Sequence, residues 1–354
     1  MANLKFFKAL LISIVISFAI TLNLFLPINS SHADSKIRIA IVYDSGGKGD
    51  AGINDLTYVG LTRVMKKLNI SSFDLKEQIF DPNTAGDRFT RVRFLARNGY
   101  QLIIGVGAGF APAINQIAME YPKTQFAIID SEQVAMANVT ALSFDRNQGL
   151  FVAGAALALA SKSGKVCFFA DTKNSFSKSD IAMLGKGATY AKANTQIISK
   201  LSDEPKLTVP ELLKQGCDQI FSTWDADDQV IRTIATANDS LPKNAVKTKV
   251  SGILPDQFFL NISAISNTYK NNPRYLTIKK RTDIAVEQVI TSAYQERSMN
   301  EILPGAPGVY GKRYNLSNGG LQIEYVGPIT NSARLSTITS AVRTGKIKLD
   351  STGS

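Results

Sequence analysis

The chain has 354 residues, of which 40 are Lys or Arg and 29 are Asp or Glu, so its formal net charge at pH 7 is +11. The basic residues are scattered and are not interleaved with aromatic residues, which argues against a nucleic-acid groove and favours a general attraction to an anionic envelope surface. The single histidine, His32, lies in a segment that we expect to be removed, which argues against imidazole-dependent catalysis or metal binding but leaves carboxylate or lysine chemistry open.

The first segment has the plan of a secretory signal peptide. Lys5 and Lys8 precede an apolar run from 9 to 26, and small residues occupy the third and first positions before a cut after Ala33. We therefore predict a leader at 1–33 and export to the periplasm. An uncleaved leader that anchors the chain is the alternative, because the apolar run is long for a signal. No cysteine near the cut offers a site for lipid attachment.

Two cysteines, Cys167 and Cys217, remain after the leader, too few for a disulfide scaffold. Both lie in apolar contexts, VCFF and GCDQIF. We interpret them as buried free thiols, with a disulfide bridge as the alternative.

The stretch 37–61 predicts a strand, a glycine-rich loop and a helix. An apolar β-branched run ends at Asp44, the polar loop SGGKGDAG follows, and Asn54 or Asp55 is placed to cap the next helix. Ligands of open α/β sheets bind beyond the carboxyl ends of strands, so Asp44, Asp50 and Asn54 are expected to line a crevice. An ordinary strand-to-helix connection, with Asp and Gly serving turn geometry alone, is the alternative.

Further alternating strand and helix signals follow. A strand that begins at Gln101 runs into the glycine loop GVGAGF, and another strand ends at Asp130. Asp44 and Asp130 then occupy equivalent positions at the ends of two strands of one sheet. A ligand hydroxyl or ring N–H would provide the hydrogen-bond donors that their buried carboxylates need. Two helix-capping aspartates are the alternative. The other elements predicted in this first series are strands at 73–80 and 139–144 and helices at 86–98 and 113–121.

A helix of small residues is predicted at 147–161, and after it a second series of similar size opens with a strand at 164–170. Its predicted strands are 164–170, 196–199, 218–223 and 250–254, and its predicted helices are 181–194, 209–215 and 229–237. After removal of the leader about 320 residues remain, enough for two lobes with separate cores. Two successive series predict two sheet domains that face each other across a cleft, which suits a ligand enclosed by domain closure.

Six motifs, in order, resemble the basic membrane protein family of ABC-transporter substrate-binding proteins, whose best-understood branch is the purine nucleoside receptor lipoproteins. The motifs are VYDSGGKGDAGIND, GVGAGF, YPKTQFAIID, NVTALSFDRNQGLFVAGAALALASKSGKV, KKRTDIAVEQVI and GVYGKRYNLSNGGL. The resemblance implies an α/β type I periplasmic-binding-protein fold, with two doubly wound lobes, a central ligand cleft and three hinge crossings.

The expected boundaries follow from the two series and the resemblance. They are a signal peptide at 1–33, an N-terminal lobe at 34–144 with a returning segment at about 256–300, a C-terminal lobe at 145–255 with a returning segment at about 301–345, and a tail at 346–354.

Ligand contacts that the resemblance implies match five residues of this chain. They are Asp44 at the end of the first strand, Asn54 after the glycine-rich loop, Asp130 as a reader of the base, Phe221 as a stacking ring and Lys280 as a contact to the sugar.

The sequence also departs from the nucleoside-binding pattern. Ile53 replaces a second stacking phenylalanine, and the expected ribose-binding aspartate appears as Leu254 or, after a register slip, as Asp256. Trp224 and Asp225 stand where the pattern has a glycine-rich loop, so we include both as candidate ligand residues. Trp224 would supply a replacement ring or pack at the hinge.

The sequence and the resemblance together predict the exported solute-binding component of an ABC importer. Its expected partners are a small polar ligand, with purine nucleosides and related heterocycles as the leading class, and an ABC permease. We expect a monomer with no nucleic-acid partner, no metal, no cofactor and no catalytic activity. The alternative function is a ligand sensor or envelope interaction protein that kept the fold without transport.

Overall fold

The structure is a computed structural model that describes residues 37–50, 52–170, 172, 177–223, 229–253, 272–297, 299 and 301–349. The predicted leader, Trp224, Asp225, Leu254 and Asp256 lie outside these residues. The described chain forms two mixed sheets with interleaved helices.

The strands of the described residues are β1 (Ile39–Tyr43), β2 (Leu75–Ile79), β3 (Leu102–Val106), β4 (Gln125–Ile129), β5 (Val139–Phe144), β6 (Lys165–Ala170), β7 (Gln196–Leu201), β8 (Gln219–Ser222), β9 (Lys249–Gly252), β10 (Arg274–Lys280), β11 (Glu301–Ile302), β12 (Tyr310–Tyr314) and β13 (Leu321–Tyr325).

The α-helices are α1 (Ile53–Leu68), α2 (Asp87–Arg97), α3 (Ala111–Glu120), α4 (Arg146–Ala160), α5 (Ser177–Ala191), α6 (Pro205–Lys214), α7 (Gln229–Ser240), α8 (Thr282–Tyr294) and α9 (Ser332–Arg343). A 3₁₀ turn at Ala108–Phe110 leads directly into α3.

Five strands of each sheet follow the same order, β5-β4-β3-β1-β2 in the first and β10-β9-β8-β6-β7 in the second. The first runs β11-β12-β5-β4-β3-β1-β2, and the second runs β13-β10-β9-β8-β6-β7. All neighbours are parallel except the edge pairs of β11 with β12 and of β13 with β10. In each sheet the chain reverses direction of winding beside the first strand, β1 or β6, which creates a crevice at the carboxyl ends of the strands.

The central strands are apolar on both faces because helices cover both faces. Every residue of β1, β3 and β5 is buried, as parallel strands inside a doubly wound sheet require. The predictions of buried strands ending at Asp44 and Asp130 are confirmed, since β1 and β4 end one residue before these aspartates.

Glycines allow two helix pairs to approach closely. A Cβ added at Gly154 of α4 would lie 2.0 Å from the carbonyl oxygen of Leu184 in α5, and one at Gly187 would lie 1.9 Å from that of Phe151. Similarly, a Cβ at Gly60 of α1 would lie 2.1 Å from the carbonyl oxygen of Asp283 in α8. The small residues of the helix predicted at 147–161 thus let it pack closely against a neighbouring helix.

The interpretation of the cysteines as free thiols is wrong. Cys167 and Cys217 form a disulfide with Cα atoms 5.9 Å apart, and the described chain has no free cysteine. Cys167 lies in β6, and Cys217 lies just before β8, the strand that pairs with β6. The apolar context reflected burial correctly, but sequence alone did not show that neighbouring strands bring the two sulfurs together.

The chain crosses between the lobes three times within the described residues. The crossings lie between β5 and α4, between β10 and α8, and between β12 and β13. The crossings run side by side. The amide of Asp145 donates to the carbonyl oxygen of Tyr314 at 2.8 Å, and the amide of Arg281 donates to the carbonyl oxygen of Gly320 at 2.9 Å. Adjacent crossings of this kind form the arrangement that is expected of a hinge between two lobes.

The returning segments differ from expectation at two places. Strand β10, expected in the N-terminal lobe, pairs with β9 in the second sheet, and β11 and β12, expected in the C-terminal lobe, lie in the first sheet. The alternation of strand and helix signals does not state which sheet a strand joins, because pairing is a long-range choice. The remaining lobe boundaries stay predictions.

Candidate functional site

The crevice of the first sheet lies between the ends of β1 and β3. Asp44 follows β1, and Gly107 follows β3 with φ +101°, a conformation that favours glycine. A Cβ at Gly107 would lie 2.8 Å from Oδ2 of Asp44, so any side chain here would displace the carboxylate. The glycine loop thus leaves room for Asp44 at the point where ligands of such sheets bind.

Arg88, in the first turn of α2, holds the Asp44 carboxylate. Its Nη2 donates to Oδ1 of Asp44 at 2.6 Å, and its Cζ lies 3.6 Å from the ring centroid of Phe80 and 5.3 Å from that of Phe110. Sequence reasoning missed Arg88, since a single arginine 44 positions from its partner carries no local signal. The spacing of apolar residues around it predicted only the helix.

Asn54 does not line an open crevice as expected, and it does not cap α1. Its side chain is fully buried: its Oδ1 accepts from the Asp44 amide at 3.0 Å, and its Nδ2 donates to Oδ2 of Asp50 at 2.7 Å. The residue preceding α1 is Gly52, whose amide donates to Oδ1 of Asp50 at 2.8 Å. Asn54 and Asp50 therefore fix the loop that carries Asp44.

Burial raises the pKa of Asp50, although hydrogen bonds from the Gly52 amide and Asn54 favour its ionised form. Asp55, the other expected cap, instead accepts a hydrogen bond from the Gly49 amide at 2.6 Å. Side chains of α1, the helix that follows the glycine-rich loop, thus accept hydrogen bonds from the backbone amides of that loop.

Asp130 and Lys280 join the two sheets. Nζ of Lys280, at the end of β10, donates to Oδ1 and Oδ2 of Asp130 at 2.9 and 2.6 Å, and the two side chains are only 13% and 18% exposed, respectively. Asp130 has φ +69°, which is uncommon for a residue with a side chain. The structure therefore brings these two predicted site residues together, 150 positions apart in the chain.

A second buried pair, Arg146 with Asp180, lies in the same charged region. Burial lowers the pKa of Lys280, which the charge of Asp130 opposes while the charge of Arg146 adds to the lowering. Burial also raises the pKa of Asp180, opposed by Arg146 and Lys280. Sequence analysis did not identify Arg146 or Asp180, because only the fold places the start of α4 beside α5 and β10.

Phe221 is fully buried in β8 and stacks on Phe168 of β6, with ring centroids 5.9 Å apart and an interplanar angle of 17°. In this structure its ring belongs to the core of the second lobe and is not open to a ligand. The other two candidates in that lobe, Trp224 and Asp225, are not among the described residues.

A groove of about 900 Å³ lies between β13 and α9 and is lined by residues such as Leu321, Tyr325 and Arg343. None of the predicted site residues lines it. The candidate site is therefore placed at the strand ends, where the structure shows two charged pairs, Asp44 with Arg88 and Asp130 with Lys280.

Across the described residues, we find no helix with both the length and the apolarity needed to cross a membrane.

Comparison with known proteins places these features in a family. The family model Bmp, described as ABC transporter substrate-binding protein PnrA-like, matches residues 36–301. The ABC transporter nucleoside-binding protein BmpA of Lactococcus lactis subsp. cremoris is 25% identical over 300 residues, covering 83% of each chain. A CD4+ T-cell-stimulating antigen of Listeria monocytogenes is 26% identical over 262 residues, covering 72% of this chain and 73% of that protein.

Solved structures share the fold. An ABC transporter system solute-binding protein from Aeropyrum pernix aligns with a TM-score of 0.66 and 16% identity, covering 89% of this chain and 93% of that chain. A transcriptional activator of the comK gene from Bacillus halodurans aligns with a TM-score of 0.64 and 19% identity, covering 88% and 98%. The predicted α/β type I periplasmic-binding fold is thus confirmed.

Proposed function

Because this chain belongs to the Bmp family of PnrA-like ABC transporter substrate-binding proteins, we propose that its solute is a nucleoside or a related heterocycle, bound where the two lobes meet. The family implies a small ligand, a permease partner and a location outside the cytoplasm. The name of the Lactococcus relative, a nucleoside-binding protein, supports the proposed ligand class.

The observation that carries this proposal is the meeting of Asp130 and Lys280. A carboxylate at a strand end of the first sheet and an ammonium group at a strand end of the second lie within hydrogen-bond distance, beside a three-stranded hinge. The distance between these two groups therefore depends on the relative position of the lobes. A solute that engages both would couple its own binding to closure.

The proposed contacts follow from hydrogen-bonding capacity. Asp44 and Asp130, as carboxylates, accept from hydroxyl or ring N–H groups, and Lys280 donates to ligand oxygen or ring nitrogen. Trp224 and Asp225 stay predicted ligand residues. Phe221 takes a stacking role only if the second lobe rearranges, because its ring is fully buried here.

We further propose that the protein is exported through its leader, acts as a monomer and has no catalytic activity. Binding and release would then be its whole cycle, with the permease receiving the solute from the opened cleft. A nucleoside incubated with the protein should be recovered unchanged.

A thermal-shift screen of the purified protein tests the proposal. The ligands are purine and pyrimidine nucleosides, nucleobases, sugars and amino acids, each at about one hundred times its expected dissociation constant, which adds about 2.7 kcal/mol of stability. We expect a rise of several degrees with at least one nucleoside, abolished by Asp130→Ala. A rise only with sugars or amino acids would contradict the ligand class, and no rise at all would favour a sensor or interaction role.

A further inference from the structure

We infer that Arg88 is a positioning residue of the solute site: together with Gly109 it holds the Asp44 carboxylate so that Oδ2 alone receives a hydrogen-bond donor of the ligand. The inference rests on the proposed function and adds to it a residue pair and the chemistry of one ligand contact. Its basis is the geometry of three neighbouring elements: the loop after β1, the start of α2 and the 3₁₀ turn after β3.

The two oxygens of Asp44 are not equivalent. Oδ1 accepts from the Ser45 amide at 2.9 Å and from Nη2 of Arg88 at 2.6 Å. Within the part of the chain that the structure describes, Oδ2 makes no hydrogen bond, and it lies beside Gly107, which has no side chain to cover it. One oxygen is thus committed to the protein and the other is available.

Arg88 is itself held in place by packing. Its guanidinium group lies against the ring of Phe80, a contact that favours a cation, and near the ring of Phe110. Its Nε is buried without a hydrogen-bond partner among the described residues, so the group is pinned at some cost. The hydrogen bond to the Asp44 carboxylate accounts for an arginine at this position despite that cost.

Gly109 is the third part of the arrangement. A Cβ at this position would lie 2.9 Å from both Cζ and Nη2 of Arg88 and 3.2 Å from Nε. These nearly equal distances place it over the plane of the guanidinium group. The glycines of the GVGAGF loop therefore have separate roles, Gly107 leaving room for Asp44 and Gly109 leaving room for Arg88.

The free oxygen Oδ2 of Asp44 determines which chemical group of the ligand can bind beside it. A carboxylate oxygen accepts hydrogen bonds and donates none, so the group that meets Oδ2 is a hydroxyl or an N–H. A ligand carboxylate or phosphate at this point would face a like charge. The site thus selects a hydrogen-bond donor without negative charge at its Asp44 end.

Two substitutions disturb Asp44 by different routes. Arg88→Met removes the cation and keeps the bulk of the stem. Gly109→Ala leaves every charge in place and displaces the guanidinium group, and its backbone conformation accepts alanine because φ lies outside the left-handed region. The matched controls are Arg91→Met, on the same helix but paired with Asp87, and Gly185→Ala, where a Cβ meets its nearest atom at 3.6 Å.

The experiment is calorimetric titration with inosine and with analogues that each lack one donor: 2′-deoxyinosine, 3′-deoxyinosine, 5′-deoxyinosine and 1-methylinosine. With the unsubstituted protein, at least one analogue should bind about ten-fold more weakly than inosine, as loss of a hydrogen bond to a charged group predicts. In Arg88→Met and Gly109→Ala this difference should fall below about three-fold, while both controls keep it.

The outcomes separate the two proposals. If inosine binds and no analogue is discriminated, or if discrimination survives in Arg88→Met and Gly109→Ala, the positioning role is overturned and the proposed function stands. If Arg88→Met abolishes inosine binding, partial recovery in Arg88→Lys supports the role and continued loss overturns it. If neither inosine nor adenosine, guanosine, uridine or cytidine binds the unsubstituted protein, the proposed function fails, and the inference fails with it.

Discussion

Replacing Lys280 by methionine should open the ligand-free protein. Lys280 is the donor of both hydrogen bonds that link the second sheet to Asp130 of the first. Methionine retains the length and apolar stem of lysine and removes the ammonium group. The substitution therefore tests the charge contact between the lobes with little change in packing.

The free-energy change expected from this substitution depends on how deeply the ion pair of Lys280 and Asp130 is buried. Breaking a fully buried pair costs about 3–5 kcal/mol, and an exposed pair contributes about 0–1 kcal/mol. Lys280 and Asp130 are mostly but not completely buried. We expect the arrangement in which Lys280 contacts Asp130 to lose about 1–3 kcal/mol relative to a more open one in which Asp130 regains water, a shift of about 5- to 150-fold in the ratio of the two.

The assay is a distance measurement between the lobes in the absence of ligand. Spin labels on cysteines introduced at the exposed positions Asn83 and Glu204 report the separation of the lobes, and the two native cysteines do not react because they form a disulfide. Lys279→Met is the matched control, because Nζ of Lys279 pairs at 3.3 Å with Glu324 of the adjacent strand in its own sheet.

We expect a longer and broader distance distribution for Lys280→Met and an unchanged one for Lys279→Met. If both distributions match that of the unsubstituted protein, the ion pair does not hold the lobes together, and the reasoning from burial and hydrogen bonding is refuted.

Three further predictions concern stability. Replacing both Cys167 and Cys217 by alanine should cost about 2–4 kcal/mol, since the bridge closes a 50-residue separation, and an unchanged melting temperature would contradict this. Gly154→Ala should cost about 1–3 kcal/mol or more because its Cβ would meet a carbonyl oxygen at 2.0 Å, whereas Gly185→Ala, with a nearest atom at 3.6 Å, should be close to neutral in the same denaturant titration. Burial opposes the ionisation of Asp283, but Arg281 and Arg63 outweigh it and hold the pKa of Asp283 below its ordinary value. The ionised carboxylate therefore stabilises the folded protein above about pH 4, and this contribution is lost as the pH falls through the lowered pKa. Asp283→Asn should therefore lower the melting temperature clearly at pH 7 and progressively less below about pH 4, and an equal loss at both would refute the assignment.

Local patterns in the sequence predicted the strands and α-helices from β1 to β9 and indicated two α/β lobes, but they did not predict β10 to β13, α8 or α9. The apolar run before Asp44 and the run that ends at Asp130 predicted buried strands, and both are present. The order of motifs predicted the family, which the match over 36–301 confirms. These features depend on residues close together in the chain, where periodicity and turn chemistry act.

Polar side chains were harder to assign. Asn54 was predicted to line the site from its place in a motif, yet its hydrogen-bonding groups are used to hold the loop. Phe221 was predicted to stack on a base, yet its ring stacks on Phe168 inside the core. A motif states which residue is present at a position, and the packing around that position states which way it faces.

The amino-acid sequence by itself determined the two series of strands and helices, the glycine loop and the carboxylates at the strand ends, because each of these follows from short-range preferences of the backbone and from burial. Only the tertiary structure decided that Lys280 meets Asp130, that Arg88 lies over Gly109 and that Cys167 bonds to Cys217. The partners in these contacts are 150, 21 and 50 positions apart. The physical reason is that the pairing of strands across a sheet, and of lobes across a hinge, is a choice among long-range contacts that local propensity does not encode.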